Sequence, residues 1–220
     1  MSVSDAIPSD VFSAKLSIGA SLVLATHNAN KITALREALR NVPVEILTAK
    51  EFDLESPAET GSTVLENALI KARVVAQQSG HPAISDDSGF CISALDDLPG
   101  AAAIDWAGPN ENYNIAIERI GEMLAERNIV SSPARFVTCI ALALPDGTAI
   151  AEQGATAGNL VWPPRGATEG YLSVFALSGE AETLAVKMAG QSAGETHRIA
   201  AYRHRQPATL RLIDRVRFEG

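Results

Sequence analysis

The chain has 220 residues, 46% of them hydrophobic, with 26 acidic against 18 basic side chains and a formal charge of −8. This is enough chain and apolar content for one folded unit with a full core. The acidic balance and the absence of a Lys/Arg block exclude a phosphate-tracking surface for polymeric nucleic acid, whereas a small anion stays open because a metal and a few cations can reverse the field inside one pocket.

Residues 1–19 hold neither a basic start nor an unbroken apolar stretch, so they fail as a signal peptide and read as a loosely ordered N-terminal extension. Residues 20–220 then form a single two-lobed domain. Ser21 to Thr26 reads as a buried strand. A helix follows from about Ala29 to Asn41, with Ile32, Leu35, Ala38 and Leu39 on one face. Val44 to Leu47 is a short strand. Apolar residues from Val64 to Ala76 keep helical spacing, and Thr63 and Glu66 have capping-box spacing at that helix's start.

Next comes Ser85-Asp86-Asp87-Ser88-Gly89, set between the apolar runs Ala83-Ile84 and Phe90-Cys91-Ile92. Neighbouring side chains on a regular strand point to opposite faces. Both acids therefore converge on one site only if the chain turns at Ser88-Gly89, and a turn between two short strands is expected there. A helix covers about Asn112 to Arg127. Phe136 to Leu144 and Thr148 to Leu160 form a hairpin across Pro145-Asp146-Gly147. Ser173 to Ala176 is a short strand, and a closing helix runs from about Pro207 to Phe218. Helices separate the early strands and hairpins join the late ones, so the expected fold is α/β: a long mixed β-sheet with two α/β lobes and a central cleft.

The adjacent carboxylates Asp86 and Asp87 suit a divalent cation. At the first strand-helix junction Asn28 has the chemistry of an N-cap. Lys31 in that helix's first turn is unfavourable by about 0.3–1 kcal/mol unless an anion is near, so it points to bound phosphate. The loop is not a Walker motif, lacking its glycines and Lys-Ser/Thr pair. Glu59 reads as a loop acid and Glu66 as a cap. The basic stretch His197-Arg198 to Tyr202-Arg203-His204-Arg205 fits a helix start or a solvated face, and its role stays open. No G-x-S-x-G elbow or H-E-x-x-H pair is present. Cys91 and Cys139 lie in apolar runs without a second C-x-x-C half, as buried reduced thiols. No run reaches the roughly 18 apolar residues of a membrane span, and a cytoplasmic location is expected.

Ala25-Thr26-His27-Asn28-Ala29-Asn30-Lys31, then Glu59-Thr60-Gly61 with Glu66-Asn67-Ala68 and Lys71-Ala72, then Ser85-Asp86-Asp87-Ser88-Gly89 resemble the inosine/xanthosine triphosphate pyrophosphatase family. Leu98-Pro99-Gly100, Asp105-Trp106-Ala107 and Val161-Trp162-Pro163-Pro164-Arg165-Gly166 extend the likeness over residues 22–166, the last two resembling a bacterial branch. The resemblance implies a Mg2+-dependent, usually homodimeric enzyme that hydrolyses altered purine triphosphates (ITP, dITP, XTP) to the monophosphate and pyrophosphate. It implies a phosphate loop of Thr26, His27, Asn28, Ala29, Asn30 and Lys31, with Lys31 stabilising charge. Glu59, Asp86 and Asp87 would serve the metal, Asp87 also as proton acceptor. Ser88 would touch substrate, and so would His197 and Arg198, matched to the family's S-H-R. The last quarter departs: Thr168-Glu169-Gly170-Tyr171-Leu172-Ser173 lacks the family's stacking Phe and base-reading Asp, leaving Gly170 and Tyr171 as candidates, and the lysine before S-H-R is missing. A nucleotide-binding or regulatory descendant with altered catalysis is the alternative expectation.

Overall fold

The computed structural model describes residues 14–167, 170–190 and 193–220, with the side chains of residues 193–202 outside the description. In chain order the elements are β1 (Ala14–Ser17), β2 (Ser21–Leu24), α1 (Ala29–Ala38), β3 (Glu45–Thr48), α2 (Val64–Ser79), β4 (Ala83–Ile92), β5 (Pro99–Gly100) and α3 (Ala103–Trp106). They continue with α4 (Tyr113–Glu126), β6 (Ser131–Ala143), β7 (Ala149–Val161), β8 (Phe175–Leu177), α5 (Leu184–Lys187), α6 (Ala193–Asp214) and β9 (Val216–Glu219).

The main sheet has seven strands in the order β3-β2-β4-β6-β7-β8, with β5 beside β4. β2 runs parallel to β3 and β4, because α1 and α2 carry the chain back before each pairing. β4, β6, β7 and β8 are antiparallel in sequence, and the turn at Pro145-Asp146-Gly147 sets a register running from Ala143↔Ala149 to Ser131↔Val161. The mixed sheet is therefore as the sequence implies. α2 begins on the expected capping box: the Thr63 hydroxyl accepts from Glu66 N, and the Glu66 carboxylate accepts from Ser62 N and Thr63 N.

Three apolar clusters define two lobes. Leu22, Leu24 and Ile84 on one sheet face pack against Leu35 of α1 and Leu212 of α6. Val23, Ala83 and Cys139 on the opposite face lie beneath Ala68, Ala72 and Val75 of α2. The far ends of β4, β6 and β7 build a second lobe, where Phe90, Ile92 and Phe175 meet Ile117 and Ile120 of α4. Cys91 and Cys139 are buried and unpaired. Burial, reinforced by Asp87 and Asp86 nearby, pushes the Cys139 thiol up to about 12.

Three expectations are corrected. The acidic segment is not a turn between short strands: β4 runs unbroken through Asp86, Asp87 and Ser88 and pairs residue for residue with β6 from Ala83↔Ala143 to Ile92↔Ala134. Residues 14–17 of the supposed loose extension form β1, which pairs in parallel with β9 and buries Ala14 and Leu16. The closing helix starts earlier and stops sooner than expected. α6 continues through Pro207, at the cost of one backbone hydrogen bond, and Val216–Glu219 is a strand.

α6 lies close against the sheet at Gly154 of β7, where an added Cβ would come within 2.0 Å of the His204 carbonyl oxygen. Glycine is thus required for the helix to reach its seat. Gly154→Ala should force α6 outward and cost about 1–3 kcal/mol of stability, the range for overpacking a tight contact. Urea denaturation of the two proteins measures it, and an unchanged midpoint would show that the helix seat yields freely.

Candidate active site

β2 hydrogen-bonds to β4 only as far as Ile84, and β5 takes up the same edge at Phe90. Between them Asp87, Ser88 and Gly89 border the cleft while β6 holds the other edge of β4. A cavity of about 250 Å³ fills this gap, reached by Asn28, Asn30 and Lys31 from the start of α1 and by Asp87, Ser88 and Gly89 from β4. Gly89 is needed because a Cβ there would sit 2.4 Å from the Gly100 carbonyl oxygen.

Alternation along β4 sends the two acids to opposite faces. Asp86 is fully buried on the α1/α6 face, where Arg205 Nε donates to Oδ2 at 2.5 Å. Lys31 Nζ lies 2.6 Å from Oδ1, a second ion pair to the same carboxylate. Burial opposes ionisation of Asp86, but Arg205 and Lys31 more than offset it and hold the carboxyl well below the usual carboxylate range. Asp87 faces α2, where Lys71 Nζ donates to Oδ1 at 2.8 Å and, at the same distance, to Glu59 Oε1. Burial here outweighs Lys71 and pushes the Asp87 carboxyl up. For Lys71, burial works against the charge, yet Asp87 and Glu59 prevail and raise its pKa.

Glu59 is held in place by the cap of α2. Asn67, itself buried, accepts from Gly61 N at 2.8 Å, and a Cβ on Gly61 would come within 2.5 Å of the Glu66 Cβ. On the other side of Asp87, the Thr138 hydroxyl donates to the Asp87 carbonyl at 2.9 Å and pairs with Ser88 Oγ at 3.0 Å. Arg205 also reaches Ser88 Oγ at 3.3 Å.

In the expected phosphate loop, Asn28, Asn30 and Lys31 line the cavity, while Thr26, His27 and Ala29 are not part of its wall. Thr26 Oγ1 accepts from Asn28 N, and Asn28 Oδ1 caps α1 by accepting from Asn30 N and Lys31 N. That cap occupies two backbone donors expected to hold phosphate. The His27 ring bonds Ser56 Oγ at 2.8 Å and the Leu54 carbonyl at 2.9 Å, so it ties this loop to the segment leading to Glu59. At the other end Gly170, with φ +61°, and Tyr171 do line the cavity. Tyr171 stacks on Phe90 at 4.8 Å and its hydroxyl donates to the Ala103 carbonyl, which makes it a fixed wall. The side chains of His197 and Arg198 lie outside the described residues.

Several site residues were missed. His204 and Arg205 line the cavity, with the His204 ring stacked on Phe136. They form a second His-Arg pair, seven residues after His197-Arg198 in the sequence. Lys71 did carry a signal: a lysine within the apolar stripe Val64, Ala68, Ala72 and Val75.

Among the described residues no group of three or more His, Cys, Asp and Glu side chains is arranged to hold a metal ion. Glu59 and Asp87 nevertheless converge on one cationic position, and Asp87 Oδ2 is buried without a hydrogen-bond partner. Mg2+ is commonly bound through one or two carboxylates, water and substrate phosphates, so this pair fits it. Asp86, the third expected ligand, lies on the opposite sheet face, where its oxygens meet Lys31 and Arg205.

The sequence profile of the Ham1 family matches residues 22–208. A dITP/XTP pyrophosphatase from Gluconobacter oxydans is 40% identical over 185 residues, which cover 84% of this chain and 88% of that protein. One from Zymomonas mobilis is 38% identical over 192 residues, covering 86% and 92%. Among solved structures, a HAM1 protein from Coxiella burnetii matches with a TM-score of 0.74 at 30% identity, over 88% of this chain and 96% of that one. A nucleoside-triphosphatase, also described as a dITP/XTP pyrophosphatase, from Mycobacterium abscessus matches with a TM-score of 0.69 at 28% identity, over 86% and 98%.

Asp86→Asn should leave Lys31 and Arg205 facing a neutral amide inside the protein. Breaking a buried ion pair from one side costs about 3–5 kcal/mol, and urea denaturation should show a loss of that size. A loss below about 1 kcal/mol, the scale of exposed pairs, would mean that both cations find other anions.

Proposed function

The chain belongs to the Ham1 family, and from that membership and the cleft we propose that it is a nucleoside triphosphate pyrophosphatase acting on altered purine nucleotides such as dITP, ITP and XTP. The products are the nucleoside monophosphate and pyrophosphate. One observation carries the reading: a single cavity joins the charged end, with Lys31, Glu59 and Asp87, to an aromatic end, with Phe90, Phe136 and Tyr171. A triphosphate suits the first and a planar base the second.

Each residue then has a task. Lys31 and Arg205, held in place by Asp86, present positive charge to the phosphates, and Asn28 and Ser88 supply polar contacts. Asp87 Oδ2, the oxygen that Lys71 leaves unbonded, accepts the proton of the attacking water. Burial makes this carboxylate a stronger base, and in the nucleotide-free protein Lys71 offsets part of that burial. A Mg2+ ion bound through Glu59 and Asp87 would neutralise phosphate oxygens and make water more acidic. Gly170 and Tyr171 form part of the base wall, and His204, stacked on Phe136, stands beside it. The family likeness also brings Mg2+ dependence, homodimer assembly and a cytoplasmic location into the proposal, and the unpaired buried thiols support a reducing compartment.

Purified protein incubated with ITP, dITP, XTP and the common triphosphates should release pyrophosphate fastest from the altered purines, and EDTA should abolish the release. Binding without release from any of them would favour a regulatory descendant instead. Asp87→Asn should fall below about a tenth of wild-type turnover with its fold intact by circular dichroism, because general-base help is worth ~10²–10⁴ in rate. Turnover above that level would remove Asp87 from the proton-accepting role.

A further inference from the structure

Lys71 occupies the position of a cation. Its Nζ lies 2.8 Å from both Glu59 Oε1 and Asp87 Oδ1, and its side chain is 8% exposed. These are the two carboxylates that fit a divalent ion, and Asp87 Oδ2 beside them is buried and unpartnered. Across β4, Asp86 is matched to Lys31 and Arg205. Three carboxylates thus face three cations, and the site formed by these side chains is close to neutral by itself. A divalent ion entering alone would add two positive charges against an ammonium already in contact with both of its ligands, where low dielectric strengthens repulsion. A triphosphate brings about four negative charges and gives the ammonium another anion to hold.

We propose that Lys71 is a built-in counter-ion that competes with the divalent cation for Glu59 and Asp87, so that the metal binds firmly only together with the nucleotide. Lys71 releases the carboxylates as the phosphates enter, and metal and nucleotide each raise the other's affinity, as linkage requires. This rests on the pyrophosphatase reading for the identity of the anion. The competition itself is a property of the nucleotide-free protein.

Binding of Mn2+, a paramagnetic substitute for Mg2+, to nucleotide-free protein tests the idea without turnover. Free Mn2+ is read by its electron paramagnetic resonance signal for wild type, Lys71→Met and the double variant Lys71→Met/Asp87→Asn. Lys71→Met should bind Mn2+ at least ten-fold more tightly than wild type, and the double variant should lose that gain. An α,β-methylene dITP analogue should tighten Mn2+ binding at least ten-fold in wild type and clearly less in Lys71→Met. Equal or weaker Mn2+ binding by Lys71→Met would overturn the proposal, as would a gain that survives in the double variant. If circular dichroism shows Lys71→Met unfolded, Lys71→Gln, which keeps the length and loses the charge, is titrated against the same outcomes. A wild-type protein that releases no pyrophosphate would refute the proposed activity but leave this comparison standing.

Discussion

Two consecutive carboxylates on a strand buried on both faces impose a requirement that shapes the site: each must be neutralised from its own side of the sheet. An unpaired buried charge costs several kcal/mol, so the two acids need separate cations on separate elements. α2 supplies Lys71 to one face. α1 and α6 supply Lys31 and Arg205 to the other. The packing of three helices on the sheet is therefore coupled to the charge state of two adjacent residues. Close backbone contact at Gly154 sets α6 at the depth from which Arg205 reaches Asp86.

The same geometry explains how acids on opposite faces serve one cleft. β2 ends at the level of Ile84 and β5 begins at Phe90, which leaves a window on one edge of β4. A ligand lying across a strand edge meets side chains from both faces, so no bend is needed to gather them. In the proposed mechanism Asp87 serves as base and metal donor because its second oxygen has no hydrogen-bond partner. Asp86, paired with Lys31 and Arg205, positions the cations that the same mechanism assigns to phosphate.

Much of this was legible in the sequence. Helical and strand periodicity gave the mixed sheet, the Thr63/Glu66 spacing gave the start of α2, and Asp87 and Lys31, singled out by their local setting, both line the cavity. The error came from treating strand alternation as an obstacle to be relieved by a turn, when alternation is what sorts the two acids into different roles. Other failures share a cause, which is distance along the chain. Arg205 is recognised by a partner 119 residues away, and nothing local distinguishes its His-Arg pair from the one seven residues earlier. β1 finds its partner β9 at the opposite end of the chain, and Ala14 to Ser17 offer locally no more than a four-residue apolar/polar alternation. Lys71 differs, because its charge stood in an apolar stripe and needed only to be asked what neutralised it.

The division into lobes also separates two kinds of constraint. The charged end of the cavity belongs to the first lobe and is fixed by ion pairs in which removing any member strands another. The aromatic end belongs largely to the second lobe, where Phe90, Phe136 and Tyr171 pack by shape. Swaps among apolar groups of similar volume usually cost under about 1.5 kcal/mol, far less than stranding a buried charge. The base wall is thus free to change while the phosphate end is not. In the proposed reading, discrimination between bases depends on the few polar groups that meet the base edge, and these stand apart from the charged groups assigned to phosphate and metal.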